Sequence, residues 1–243
     1  MTRVLVTRPE PGASRTLNAL IARGIDAVSI PLTEIKPLAF EIPNRDFDAL
    51  IITSQNAIVH GTSALNMLKH IPVFVVGNRT AETLRRQGHH IHAWAETAQD
   101  LLPMIVAQRP KHALYICGQT RRPELEAALE SSSIPVTALE AYRSTPSANV
   151  GPKLAAFFNS SAEPLILCHA PSAVDALIMA MEHQNLPTLN LPTKTQFLCM
   201  SQAILSQLPE HWQSHARISQ RPDDAAMIDM LDKMLAQSHL PQA

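Results

Sequence analysis

The chain has 243 residues, 46% of them hydrophobic, and a net charge of −1 from 20 basic and 21 acidic residues. This composition is ordinary for a globular protein, and the balanced charge excludes a strong overall attraction for nucleic acid. We expect no membrane partner, because no apolar run approaches the ~20 residues of a membrane span and Arg8 and Pro9 interrupt the hydrophobic region of any signal peptide.

Short apolar strands alternate with helices along the chain. The first strand, at 4–6, precedes a helix that Ser14 is predicted to cap and Gly24 to end. The later predicted strands are short apolar runs at 27–30, 47–52, 73–76, 113–117, 136–143, 165–168 and 197–200. The later predicted helices follow small polar turns and cover the stretch after Ser54, 81–87, 100–108, 124–130, 153–158, the stretches after 173 and 201, and 223–237. This alternation indicates an α/β fold with parallel sheets.

The strand at 49–52 ends in a turn suited to anions. Thr53, Ser54 and Asn56 follow it, and all three are residue types that cap helices. In a parallel sheet such a turn lies at the carboxyl edge, where helix starts present free N–H groups to ligands. A similar junction recurs at 164–174, with Ser172 as the predicted cap, so we expect two similar domains.

Two proline-containing extended segments divide the chain. We predict a discontinuous first domain from 1–31 and 147–243, an inserted second domain at 41–135, and linkers at 32–40 and 136–146 that pair as a short ribbon. The cleft between two such domains is the expected binding site.

The ordered motifs of the chain resemble those of uroporphyrinogen-III synthases over nearly its whole length. These motifs are Val4-Leu5-Val6-Thr7-Arg8-Pro9, Ile52-Thr53-Ser54-Gln55-Asn56-Ala57, Val76-Gly77-Asn78-Arg79-Thr80-Ala81, Leu114-Tyr115-Ile116-Cys117-Gly118 with Arg121-Arg122, Ala141-Tyr142-Arg143-Ser144-Thr145 and Ala170-Pro171-Ser172-Ala173-Val174. The resemblance implies two flavodoxin-like α/β domains joined by a two-stranded linker. It also implies a lyase that closes the linear tetrapyrrole hydroxymethylbilane into uroporphyrinogen III with the last ring inverted, as a cytoplasmic monomer without metal or organic cofactor.

One motif departs from the family pattern. Where family members usually carry a second Gly-x-x-Thr-Ala turn, this chain has Met200-Ser201-Gln202-Ala203-Ile204. The serine keeps a small residue and a capping hydroxyl, but the expected threonine side chain is missing.

The substrate's eight carboxylates predict contacts with N–H groups at helix starts and with a few arginines. The predicted substrate-binding residues lie in the turns after strands and are Thr7, Arg8, Thr53, Ser54, Gln55, Asn56, Gly77, Arg79, Thr80, Gly118, Arg122, Pro171, Ser172, Ala173, Ser201 and Gln202. Arg121 and Arg143 are further candidates. For each hydroxyl the alternative role is a plain helix cap, and for each arginine a solvated surface position.

Tyr142 matches the tyrosine that the family is thought to use to assist departure of the substrate hydroxyl. Its alternative role is that of a packed aromatic residue in the linker. A phenol with a pKa near ~10 stays protonated at neutral pH and can donate a hydrogen bond to a leaving hydroxyl.

Metal-site patterns are weak in this sequence. The histidines at 89, 90 and 92 are expected in a loop, and His211 and His215 lack the glutamate of an HExxH motif. Cys117, Cys168 and Cys199 form no CxxC pair, so reduced core thiols are expected.

Two other function classes are compatible with an α/β chain of this size. A non-enzymatic, two-lobed anion-binding or sensor protein with the same fold remains open, because it would bind its ligand without converting it. A dinucleotide-dependent enzyme is set aside, because the chain has no GxGxxG turn.

Overall fold

The computed structural model describes residues 2–121, 123–183 and 191–238. The chain forms two compact units: unit 1 comprises Met1–Glu34 and Thr145–Ala243, and unit 2 comprises Ile35–Ser144. The boundaries between them fall inside two of the strands given below. The assignment of 32–40 and 136–146 as linkers stays a prediction.

The elements alternate as expected for an α/β protein. The strands are β1 (Thr2–Val6), β2 (Ala27–Ser29), β3 (Thr33–Pro37), β4 (Ala49–Ile52), β5 (Val73–Val76), β6 (Ile91–Ala95), β7 (Ala113–Gly118), β8 (Val136–Pro146), β9 (Glu163–Cys168), β10 (Gln196–Cys199) and β11 (Ala216–Ile218). The helices are α1 (Gly12–Ile21), α2 (Gln55–His60), α3 (Thr62–Met67), α4 (Asn78–Arg86), α5 (Ala98–Gln108), α6 (Glu124–Ser131), α7 (Gly151–Ser160), α8 (Pro171–His183), α9 (Gln202–Leu205), α10 (Glu210–Gln213) and α11 (Asp224–Ser238).

Unit 1 is built on a five-stranded sheet in the order β11-β10-β9-β1-β2, with every pairing parallel. Counted along this unit, the order is 2-1-3-4-5, which is the flavodoxin-like arrangement. Alternate residues of β1 face opposite cores: Leu5 packs with one apolar cluster, and Val4 and Val6 pack with the other. Helices therefore cover both faces, as a parallel sheet requires.

Unit 2 is built on a six-stranded sheet in the order β3-β8-β7-β4-β5-β6. Strands β4 to β8 pair in parallel, and β4 lies between β5 and β7. Leu50 and Ile52 face one core, while Ile51 and Tyr115 face the other. Strand β3, which contains Pro37, lies at the edge, where a proline costs no ladder hydrogen bond.

This architecture confirms the predicted α/β class, with two sheets that are mostly parallel. Strand β4 has the predicted buried residues at all four positions. Among the described residues, no helix is long and apolar enough to cross a membrane.

Several local predictions are wrong. The stretch at 89–92, predicted as a loop, enters the edge strand β6 at Ile91, because its alternation of small or apolar residues with exposed ones suits a half-buried edge. Ser14 does not cap α1, which begins two residues earlier; instead Ser14 N donates to Glu10 Oε2 at 3.0 Å. Strand β11 was not predicted.

The helix predicted after Ser54 is broken at Gly61 into α2 and α3. A Cβ on Gly61 would lie 2.6 Å from the Ala57 carbonyl oxygen and 2.6 Å from a methyl carbon of Ile116. The close approach of this turn to β7 therefore requires a glycine.

Candidate functional site

A cavity of about 740 Å³ lies in unit 2 at the carboxyl ends of its parallel strands. The lining residues are Thr53, Val76, Thr97, Ala98, Gln99, Tyr115, Gly118, Thr120, Arg121, Glu124, Leu125 and Tyr142. From β4 the chain continues to β5 on one side, while β7 lies on the other, so the cavity lies at a topological switch point. Its volume is typical of small-molecule sites.

The predicted site residues of unit 2 fall into two groups. Thr53, Gly118 and Tyr142 line the cavity. The others do not line it; they lie in the turns after β4 and β5 or in the first turn of the helix that follows, and are Ser54, Gln55, Asn56, Gly77, Arg79 and Thr80. Arg122 lies outside the described residues.

The turn after β4 is held by its own hydroxyls. The Thr53 and Tyr115 hydroxyl oxygens lie 2.9 Å apart and are hydrogen-bonded. Ser54 is the N-cap of α2, as predicted, and its Oγ accepts a hydrogen bond from Asn56 N at 3.1 Å. Gln55 Oε1 accepts a 3.4 Å hydrogen bond from Thr83 of α4. The turn is thus tied to a neighbouring strand and a neighbouring helix.

Tyr142 lies against the backbone of Gly118. A Cβ at Gly118 would lie 2.8, 3.0 and 3.2 Å from Cε2, Cζ and Oη of the Tyr142 ring. The ring centroids of Tyr142 and His60 are 5.7 Å apart. Burial raises the pKa of Tyr142, and its side-chain hydrogen bond with Ser54 opposes that rise. The phenol therefore keeps its proton at neutral pH and is available as a donor.

In the turn after β5, the helix start is formed by backbone groups and has no capping side chain. Gly77, with φ of +86°, is the N-cap of α4, and no side chain caps the helix. Thr80, predicted as a cap, is instead buried in the first turn of α4. Arg79 lies beside it and is exposed. The left-handed conformation favours glycine at 77 and leaves the N-cap without a hydroxyl.

Arg121 is occupied by acidic neighbours. Its guanidinium donates to Glu126 Oε2 at 2.8 Å and to Glu140 Oε1 at 2.8 Å. It also donates to the Gly118 carbonyl at 3.3 Å. Hydrogen bonding to Glu126 raises the pKa of Arg121, with burial opposing. Because two carboxylates already neutralise this cation, it is a poor receptor for a further one.

The turn after β1 in unit 1 holds Arg8 in a fixed position. Arg8 forms an ion pair with Asp224, and Arg15 reaches the other oxygen of Asp224 at 3.2 Å. A Cβ on Gly12 would lie 2.5 Å from Arg8 Nε, so the guanidinium packs directly against the backbone of Gly12 at the start of α1. Thr7 is buried and donates to the Leu167 carbonyl at 2.7 Å, which ties this turn to β9.

His169 lies beside this ion pair at the end of β9. Its side chain is 5% exposed, and its Nε2 is 4.0 Å from Asp224 Oδ1. Burial lowers the pKa of His169 to about 3; Arg8 acts in the same direction and Asp224 opposes. Burial disfavours the charged Asp224, but the guanidinium groups of Arg8 and Arg15 outweigh it and hold the pKa of Asp224 below its usual range. The imidazole is therefore neutral next to a charged pair.

The remaining predicted residues of unit 1 lie at the starts of α8 and α9. Helix α8 begins at Pro171, so Ser172 and Ala173 lie in its first turn, and Ser172 is not the N-cap that we predicted. Ser201 is the N-cap of α9 but makes no side-chain capping bond, and Gln202 begins that helix. The departure from the family motif thus occurs at a helix of four residues without a side-chain cap.

Sequence analysis missed Tyr115, Asp224 and His169. Tyr115 lies inside a buried apolar strand, where a hydroxyl gives no local signal. Asp224 lies 216 positions from Arg8 and pairs with it only through the fold. The described residues contain no group of three or more His, Cys, Asp or Glu side chains able to hold a metal ion.

Comparison with known proteins identifies the relatives of this chain. A search of curated proteins finds no match. A uroporphyrinogen-III synthetase structure from Helicobacter pylori aligns with a TM-score of 0.66 at 17% identity, covering 96% of this chain and all of that one. A mutant uroporphyrinogen III synthase from Thermus thermophilus aligns with a TM-score of 0.60 at 16% identity, covering 98% of this chain and all of that one. At these identities the alignments show the shared fold.

The family model for uroporphyrinogen-III synthase HemD matches residues 14–229, which is most of the chain. The chain therefore belongs to the uroporphyrinogen-III synthase family, the cyclising lyases of tetrapyrrole biosynthesis, which confirms the family and the reaction predicted from its motifs.

Proposed function

We propose that this lyase acts on hydroxymethylbilane at the cavity of unit 2, with Tyr142 assisting departure of the substrate hydroxyl. The observation that carries the proposal is the position of Tyr142, which lines the cavity with its ring packed on Gly118 and its phenol protonated. A neutral phenol can donate a hydrogen bond to the hydroxyl as the C–O bond breaks.

The reaction requires little acid–base catalysis by the protein. The hydroxyl leaves as water once it has gained a proton, and the bilane becomes an electrophilic azafulvene. The substituted carbon of the last pyrrole ring attacks it to give a spiro intermediate, which opens and recloses with that ring inverted. Because the bilane cyclises unaided to the uninverted isomer, the main task is to hold one conformation, and such positioning can contribute up to ~7–11 kcal/mol.

The substrate carboxylates need donors that are not already neutralised. We propose that hydroxyls and backbone N–H groups supply most of them, because Arg121 is held between two glutamates and Arg8 shares Asp224 with Arg15. The binding residues predicted from the motifs remain proposals. Those of unit 2 are Thr53, Ser54, Gln55, Asn56, Gly77, Arg79, Thr80, Gly118 and Arg122. Those of unit 1, which do not line the cavity of unit 2, are Thr7, Arg8, Pro171, Ser172, Ala173, Ser201 and Gln202.

We further propose that the chain works as a cytoplasmic monomer and binds no nucleic acid. Three free, buried cysteines, Cys117, Cys168 and Cys199, support a reducing compartment. The net charge of −1 supports the absence of a nucleic-acid partner. Light scattering during size-exclusion chromatography checks the monomer, and a dimer mass would contradict it.

The test is analysis of the product formed from freshly prepared hydroxymethylbilane. Uroporphyrinogen isomers III and I are separated after oxidation, with an enzyme-free reaction as the control. We expect mainly isomer III from the wild-type chain and a lower kcat from Tyr142→Phe. Isomer I alone, at the spontaneous rate, would overturn the function and favour an anion-binding protein. A Tyr142→Phe variant with wild-type kcat would overturn only the role of that phenol.

A further inference from the structure

A second tyrosine in the cavity of unit 2 has no part in the reaction described so far. Tyr115 lies in β7, its side chain is 5% exposed, and its hydroxyl is 2.9 Å from that of Thr53. We infer that Tyr115 is a positioning residue: its hydrogen bond orients the Thr53 hydroxyl so that this hydroxyl donates to the substrate in the cavity. The inference rests on the function proposed above.

The packing of the two residues determines which of them is oriented. Tyr115 belongs to an apolar core that also contains Ile51, and the Cα atoms of Tyr115 and Ile51 are partners in the parallel β4–β7 pairing. Thr53 follows Ile51 by two positions, just beyond the end of β4, and is only half-buried. The ring of Tyr115 is therefore held by the sheet, and Thr53 is the partner that adjusts to it.

The chemistry of the pair gives the bond its direction. By geometry either hydroxyl could donate. Because a phenol is a stronger acid than an aliphatic alcohol, we assign Tyr115 as the donor and Thr53 as the acceptor. Burial raises the pKa of Tyr115 to about 12, with the hydrogen bond to Thr53 opposing, so the phenol keeps its proton at neutral pH. The Thr53 proton is then left for another acceptor, and Thr53 lines the cavity. Substrate carboxylates and the departing hydroxyl are both suitable acceptors.

The hydrogen bond ties the turn after β4 to a neighbouring strand. Tyr115 lies in β7, and its hydroxyl is hydrogen-bonded to that of Thr53, just beyond the end of β4. The next residue, Ser54, is held separately as the N-cap of α2, where its Oγ accepts a hydrogen bond from Asn56 N. Loss of the Tyr115 hydroxyl should therefore release Thr53 while leaving the Ser54 cap in place.

The experiment is a double-variant cycle on kcat, KM and the fraction of isomer III. Tyr115→Phe removes a single oxygen atom, and Thr53→Val removes the Thr53 hydroxyl at nearly constant shape. We expect Tyr115→Phe to lower kcat by about three- to tenfold, as for one net hydrogen bond, with a smaller change in KM and more isomer I. The double variant should be no slower than Thr53→Val alone, because both substitutions remove the same donor.

Two control variants separate positioning from folding. Thr53→Ser keeps a hydroxyl and should recover most of the kcat that Thr53→Val loses. Thr137→Val makes the same chemical change at the far end of the sheet, where the Thr137 hydroxyl lies 2.8 Å from His112 Nε2, and should leave kcat and the isomer ratio unchanged. Thermal unfolding of each variant confirms that it is folded.

The outcomes are distinct. Wild-type kcat and isomer ratio in Tyr115→Phe would overturn the inference. The inference would also be overturned if kcat of the double variant fell by the product of the two single-variant factors, those of Tyr115→Phe and Thr53→Val. The two hydroxyls would then act separately. A wild-type chain that yields isomer I alone would instead mean that the proposed function has failed.

Discussion

The contact between Gly118 and Tyr142 gives a steric test of the role proposed for Tyr142. Gly118→Ala places a methyl group 2.8 Å from Tyr142 Cε2 and 3.2 Å from its Oη, whereas ordinary contact begins near 3.4 Å. The ring must therefore retreat by about 0.6 Å or turn on its side-chain bonds. Displacements on the order of 1 Å can cost ~100-fold in rate, so we expect kcat to fall by about 10- to 100-fold and the share of isomer I to rise.

The assay measures kcat and product isomers together with thermal unfolding. Overpacking should also destabilise the fold, by about 1–3 kcal/mol, which alone would not lower kcat at 25 °C. Gly24→Ala is the matched control. Gly24 has φ of +73° and no neighbour within 4 Å of an added Cβ, so the variant should lose stability through strain and keep wild-type kinetics. A Gly118→Ala variant with wild-type kcat and isomer ratio would refute the claim that Tyr142 must lie where it does.

Three further predictions concern stability. In the unfolded chain His169 gains a proton below pH 6.5, whereas in the folded protein it does so only near pH 3, so the free energy of unfolding should fall as the pH drops between these values. Urea unfolding of His169→Gln should show about 2 kcal/mol less of this fall between pH 6.5 and 5 than the wild type. An unchanged pH profile in the variant would contradict the burial argument. Asp224→Asn removes the charge that Arg8 contacts and should cost about 1–3 kcal/mol in the same assay, whereas a neutral result would show the pair to be solvated. Gly61→Ala drives a methyl group to 2.6 Å from a backbone oxygen and from an isoleucine side chain and should lower Tm, while a raised Tm would mean that helix propensity outweighs the clash.

Much of the fold was predictable because its signals are local. The buried run at 49–52, predicted within a strand at 47–52, forms β4, and Ser54 caps the helix after it, since both depend on residues close in sequence. Edge strand β6 was missed because the histidines at 89 and 90, just before it, and His92 within it suggested a loop, although its exposed and half-buried residues alternate. Edge strands need only one covered face, so composition is a weak guide there.

The site was only partly predictable because its decisive contacts join distant residues. Thr53 could be proposed from its place after a strand, but its partner Tyr115 is 62 positions away and depends on the register of β4 with β7. Arg121 was a reasonable carboxylate receptor on sequence grounds. Its neutralisation by Glu140 depends on the β7–β8 pairing and could not be seen beforehand.

The discontinuity of unit 1 has a consequence for the order of biosynthesis. Strand β1 lies between β2 and β9, and its register with β9 pairs Leu5 with Ile166. On the ribosome, β1 emerges while β9 has not yet been translated, with the whole of Ile35–Ser144 still to come between them. The backbone N–H and C=O groups of β1 that face β9 must wait for their partners through the synthesis of another complete sheet. Unit 1 therefore begins to be synthesised before unit 2 and yet is the later of the two units to be completed.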